Sequence, residues 1–310
     1  MQNKFFLPRL EKFVQKRLGQ AGFNQNSVAF CEHNGLLCLG DREGNLYMIS
    51  ASRFHQVKKI TLKYGIDTLK YVKHEKALYI ACVRDVHKFS FRKNRITSVK
   101  SLDFRVRLIE YVDTHDVIAV AGDSFGVRFY NLALVYQFSI NYSDSFRIIH
   151  SMIYLEKPSI LIIGLDTGGL IAYDMRTTRL LDSNYKQKSA PNYLKHIEGE
   201  DMILSGGQEG RIYIRMINKS EGFKAIDCLW MKKSEILGMV PLKRGEYFAC
   251  LHSGMDSLSI VRTKDWQLVK SVPIFFNTTG GTNLVSMLGG KMLIATEKAE
   301  GFYYLIKSKI

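Results

Sequence analysis

Residues 160–174 read ILIIGLDTGGLIAYD: an apolar run, a tight turn carrying glycine and an acid, then an alternating run. The two runs have the lengths of short strands, and the turn residues between them supply the unusual backbone angles a hairpin needs. Working outward, the same pattern recurs as LLCLGDREGNLYMIS (36–50), ALYIACVRDVHKFSF (77–91), VIAVAGDSFGVRFYN (117–131), MILSGGQEGRIYIRM (202–216), YFACLHSGMDSLSIV (247–261) and KMLIATEKAEGFYYL (291–305). Successive copies begin 40 to 45 residues apart. An apolar segment precedes the hairpin, as in Ser27-Val-Ala-Phe30, Thr68-Leu-Lys-Tyr-Val72 and Leu237-Gly-Met-Val240. Another strand-like segment follows it, as in Val57-Lys-Lys-Ile60, Ile96-Thr-Ser-Val99 and Leu268-Val-Lys-Ser-Val272.

Four strands per repeat at this period is the pattern of a propeller blade, a sheet too small to bury its faces alone. The expectation is an all-β chain: one seven-bladed β-propeller of four-stranded antiparallel blades. The blades fall at about 27–62, 66–102, 106–140, 147–183, 192–230, 236–274 and 282–310. The last repeat lacks a fourth strand, and the segment 12–18 is expected to complete it from the N-terminus. A short amphipathic helix is the alternative there, because Phe6, Leu10, Phe13, Val14 and Leu18 also fit helical spacing after Pro8.

The pattern resembles the WD40 repeat. The chain keeps Glu43-Gly44 and Glu209-Gly210 at the hairpin turn and Tyr130-Asn131 and Tyr173-Asp174 at the end of the third strand. It has no Trp-Asp and no matching Gly-His. The resemblance implies a ring closed by a strand lent to the last blade. Departure from the motif implies that the family's buried Asp-His-Ser/Thr-Trp network is absent or partial, with apolar packing holding the blades instead.

The bulk numbers agree with one globular unit. The chain has 310 residues, 46% hydrophobic and 24% charged, enough to bury a sizeable core without disulfides or metals. Its 5 prolines mark no linker. The five cysteines, with no CxxC, are expected to be buried free thiols of a reducing compartment. Lys4, Arg9, Glu11 and Lys12 interrupt any secretory apolar region, and no run reaches a membrane span. The expected location is intracellular, nuclear or cytoplasmic; a basic start with one acid leaves mitochondrial import open, while its lack of serine counts against it.

Motifs for chemistry are missing. There is no P-loop, no nucleotide-binding glycine fingerprint and no nucleophile elbow, and Gly164, Gly168 and Gly169 belong to a hairpin. The eight histidines show no metal-ligand spacing; His33, His74 and His115 fall between the first two strands of three blades and read as polar turn residues. No catalytic activity, cofactor, metal or small-molecule substrate is expected.

Charge is the one asymmetric feature. The net charge is +15. Residues 1–18 carry five basic side chains against one acid, residues 53–107 carry fifteen against four, and the remainder is neutral. Ring closure by the N-terminal strand would gather this excess into one sector on blades seven, one and two. Its expected polyanion- or partner-binding residues are Lys12, Lys16, Arg17, Lys58, Lys59, Lys63, Lys73, Arg92, Lys93, Arg95, Arg105 and Arg107. Interleaved aromatics (Phe54, Tyr64, Tyr71, Phe89, Phe91 and Phe104) resemble an RNA-contacting surface. The expected function is a non-catalytic scaffold within a multi-subunit assembly, ribonucleoprotein in character, as in ribosome biogenesis or RNA processing. Its partners would be other protein subunits and RNA. The alternative is a cytoplasmic adaptor in a trafficking, ciliary or signalling complex, docking an acidic protein without nucleic acid.

Overall fold

The computed structural model describes residues 9–17, 23–53, 55–123, 126–141, 148–184, 187–197, 201–230, 234–242, 245–253, 257–273, 282–287, 292–297 and 302–309; of residues 1–26 and 272–309 only the backbone is described. The described residues form 28 β-strands and two 3-10 turns. Strands such as Ala77–Cys82, Val117–Gly122, Ile160–Leu165 and Tyr247–His252 are buried at every position. That is why the sequence shows them as unbroken apolar runs: both faces of the sheet pack against a neighbouring sheet. The last strand of a repeat has one free edge, and its pattern loosens accordingly, as in Gln56–Thr61 and Arg95–Ser101.

The expectation of a seven-bladed propeller of four-stranded blades is corrected. Among the described residues there are six sheets, five of four strands and one of eight. The eight-stranded sheet spans the first two repeats, joined where Asn26 pairs in parallel with Thr68. The cause is local. The first strands of neighbouring repeats run parallel and converge at the axis, and here they come close enough for their backbones to hydrogen-bond. Backbone neighbours around the axis are Phe23–Cys31, Thr68–Val72, Val106–Val112, Ile149–Leu155, Tyr193–Ile197, Ile236–Leu242 and Thr282–Met287, the last again adjoining the first.

At the junction of the chain ends, Arg9–Arg17 pairs antiparallel with Phe302–Lys309, from Arg9 opposite Lys309 to Arg17 opposite Phe302. Between repeats the packing is apolar. Cys38, Met48, Leu78, Ile80 and Phe89 interlock across the first two repeats, and Val127, Phe129, Leu161 and Ile163 across the next pair.

Polar groups reinforce this core locally. The first hairpin turns on Gly44, at φ +88, where a side chain would strike the carbonyls of Leu62 and Tyr64. Beside it the fully buried Asp41 accepts hydrogen bonds from the backbone N–H of Glu43 (3.0 Å) and Asn45 (2.7 Å), from Asn45 Nδ2 (2.8 Å) and from the Tyr47 hydroxyl (3.1 Å). In the fifth repeat, Arg215 donates to Ser205 Oγ (2.5 Å), which donates to Gln187 Oε1 (2.9 Å), all three nearly inaccessible to water. Asp41→Ala strands several buried donors and is expected to cost about 2–4 kcal/mol, at about 1–3 kcal/mol per unsatisfied group with partial rescue by water. Urea unfolding checks this; a loss below about 0.5 kcal/mol would show the network to be dispensable.

Candidate polyanion-binding surface

An antiparallel meander sorts its turns. The turns after the first and third strands of a repeat lie at one end of the sheet, and those after the second and fourth at the other. This splits the basic residues singled out in the sequence. Lys73, Arg92 and Lys93 lie in turns at the first end, with Arg95 opening the strand that leaves it. Lys63, Arg105 and Arg107 lie at the opposite end.

The first end is built around the turn at residues 91–94. Asn94 takes a left-handed conformation (φ 52), which asparagine tolerates better than most residues. The Ser90 hydroxyl accepts from the backbone N–H of Lys93 (3.3 Å), and the N–H of Phe91 donates to the Lys76 carbonyl (3.1 Å). Lys58, on the outer strand of the previous repeat, donates to the Asn94 carbonyl (2.9 Å) and to Asn94 Oδ1 (2.7 Å). Its ammonium also lies 5.3 Å from the Phe89 ring centroid. Lys58 therefore brings together two basic clusters that lie 36 residues apart. Arg92, Lys93 and Arg95 are exposed, and among the described residues no hydrogen bond or ion pair engages their side chains. Lys59, the residue after Lys58 on its strand, is exposed on the opposite face, 5.4 Å from the Tyr47 ring centroid.

Other members of the expected set are spoken for. Lys73 pairs with Glu32 (2.9 Å), Arg105 with Asp67 (2.8 Å), and Arg107 with Asp123 through both Nε and Nη2 (2.5 and 3.3 Å). The hydrogen bond and charge of Asp67 raise the pKa of Arg105, locking it in the charged, paired form. Lys63 lies 4.9 Å from the Tyr64 ring centroid at the far end. The side chains of Lys12, Lys16 and Arg17 lie outside the described residues, as does Phe54. Two basic residues left out of the expected set, Arg53 and Lys76, share the first end with Arg92 and are exposed. Their signal was positional, since each sits in a turn after a first or third strand.

The aromatics belong mostly to the core. Phe89 and Phe104 are buried, and Phe91 is half-buried against Phe89 (centroids 5.2 Å, edge-on) and Tyr71 (5.9 Å, edge-on). They pack beneath the turn, and among the described residues no ring stands free beside it for stacking on a base. Among the described residues no group of three or more His, Cys, Asp or Glu could hold a metal ion, and no helix is long and apolar enough to cross a membrane.

No protein-family model matches the sequence, and no curated protein matches it. Among solved structures, the β-propeller domain of Cps50 (Swd1) from Myceliophteria thermophila is similar over 96% of this chain and 99% of that one, with a TM-score of 0.80 and 14% sequence identity. The chain folds as a β-propeller. Arg92, Lys93 and Arg95 are unpaired at the end carrying the 91–94 turn, while Arg105 and Arg107 at the other end are paired with acids.

Proposed function

We propose that this propeller is a non-catalytic scaffold subunit of a ribonucleoprotein assembly, and that it docks RNA through phosphate contacts at Arg92, Lys93 and Arg95, with Lys58 braced against the same turn. The observation that carries this reading is the set of unpaired, exposed guanidinium and ammonium groups gathered on one rigid turn. Arginine forks and lysine ammonium groups are the standard partners of phosphate oxygens. With no exposed aromatic beside the turn among the described residues, recognition would be of the backbone and indifferent to base sequence. Residues 1–18 would extend the surface if their side chains join it.

Affinity capture of the full chain, with and without nuclease, tests the assembly. RNA in the eluate, and protein partners released by nuclease, are the expected result. Partners retained after complete RNA digestion would instead establish an acidic protein on this surface.

A further inference from the structure

The inner strands surround a cavity of ≈ 460 Å³, within the ≈ 300–1,000 Å³ range of small-molecule pockets. Strand register sets its chemistry. Lys70, Glu110 and Lys195 each stand two residues before the end of their inner strands, at Val72, Val112 and Ile197, and so reach the cavity at one level. Lys70 and Glu110 form an ion pair. Lys195 is half-buried, and among the described residues no hydrogen bond or ion pair holds its ammonium. One residue earlier on their strands, Leu69, Ile109, Met152 and Met239 line the same space as an apolar collar. At the mouth, Glu32 and Lys73 neutralise each other.

The described charges of this level sum to one unmatched positive charge, set against the apolar collar. Burial, and then the charge of Lys70, lower the Lys195 pKa, with Glu110 opposing. A dianion would overcompensate and face Glu110; a cation would face Lys195; a neutral apolar molecule would leave the ammonium dry and unpaired.

We propose that the channel binds a small monocarboxylate with an apolar body, its carboxylate on Lys195 and its body against the collar. This site is separate from the RNA-docking turn and does not depend on it.

Titration of the full chain with sodium hexanoate, followed by saturation-transfer NMR, tests the assignment. Saturable binding is expected with Kd on the order of 1 mM, a usual value for so few heavy atoms. Hexylamine and hexan-1-ol are expected to bind at least about tenfold more weakly. Lys195→Met should weaken hexanoate at least about tenfold, while Lys195→Arg retains it. Glu110→Gln, which frees Lys70, should tighten hexanoate severalfold. No saturable hexanoate binding, equal binding of hexylamine, or undiminished binding by Lys195→Met would overturn the proposal. Should Lys195→Met fail to fold, Glu110→Gln decides, because unchanged or weaker binding there overturns it equally.

Lys195→Met also has a stability readout. The folded chain holds this proton less tightly than the unfolded chain does. The group's contribution to stability therefore rises with pH, from below its folded pKa up to the ordinary lysine range. Lys195→Met is expected to raise the melting temperature at pH 7 and to flatten that rise. A melting temperature lowered at pH 7 would show that the ammonium is already satisfied.

Discussion

Deletion of residues 1–17 is expected to leave the chain unfolded or insoluble. Eight residues of Arg9–Arg17 pair with Phe302–Lys309. At about 0.5–1.5 kcal/mol net for each backbone hydrogen bond, the pairing contributes on the order of 8 kcal/mol. That is comparable with the whole stability of a typical folded protein, about 5–15 kcal/mol. The deletion would also bare the edge of Phe302–Lys309, a template for pairing with other chains. Circular dichroism melts and size-exclusion chromatography measure the effect, and a synthetic peptide of residues 1–17 supplied in trans should restore a cooperative melt. An unchanged melting temperature in the truncated chain would mean that the pairing contributes nothing to holding the ring together.

The second large effect concerns the surface. Substituting Arg92→Glu, Lys93→Glu and Arg95→Glu together is expected to lower affinity for single-stranded RNA about a hundredfold or more, since three phosphate contacts become repulsions. Stability should change by no more than about 0.5 kcal/mol, because these side chains hold no partner in the fold. Arg105→Glu with Arg107→Glu supplies the contrast. Those residues face the other end and are paired with Asp67 and Asp123, so RNA affinity should hardly move. Equal losses from the two variants would point to a diffuse field and remove the turn from its assigned role.

How much of this was legible in the sequence depends on whether the cause was local. The buried hairpins were legible because strands such as Ala77–Cys82 and Ile160–Leu165 must be apolar throughout to fill the space between two sheets. The joining of two repeats into one sheet was not. It rests on one parallel pairing of Asn26 with Thr68, and a backbone approach at the axis leaves no mark in residue type. The charge excess was legible as a count, but its division between two ends follows from turn position. Its neutralisation follows from partners such as Asp67, which lies 38 residues from Arg105. The aromatics near the basic cluster suggested base stacking, yet Phe89 and Phe104 serve the core, a role that composition cannot distinguish. Lys195 escaped notice because it lies in a part of the chain whose charges cancel, and only strand register shows that it shares a cavity with Lys70 and Glu110.

The most direct test of the docking surface is a salt titration of binding between the full chain and a single-stranded oligouridine of about 20 nucleotides, long enough to span several phosphate contacts. With about four or five phosphates engaged at ~0.7 each, the logarithm of the association constant should fall linearly with the logarithm of salt concentration, with a slope of about −3. The glutamate triple variant should lose about two units of that slope. Absence of binding at about 50 mM salt, or a slope near zero, would contradict phosphate docking at Arg92, Lys93 and Arg95.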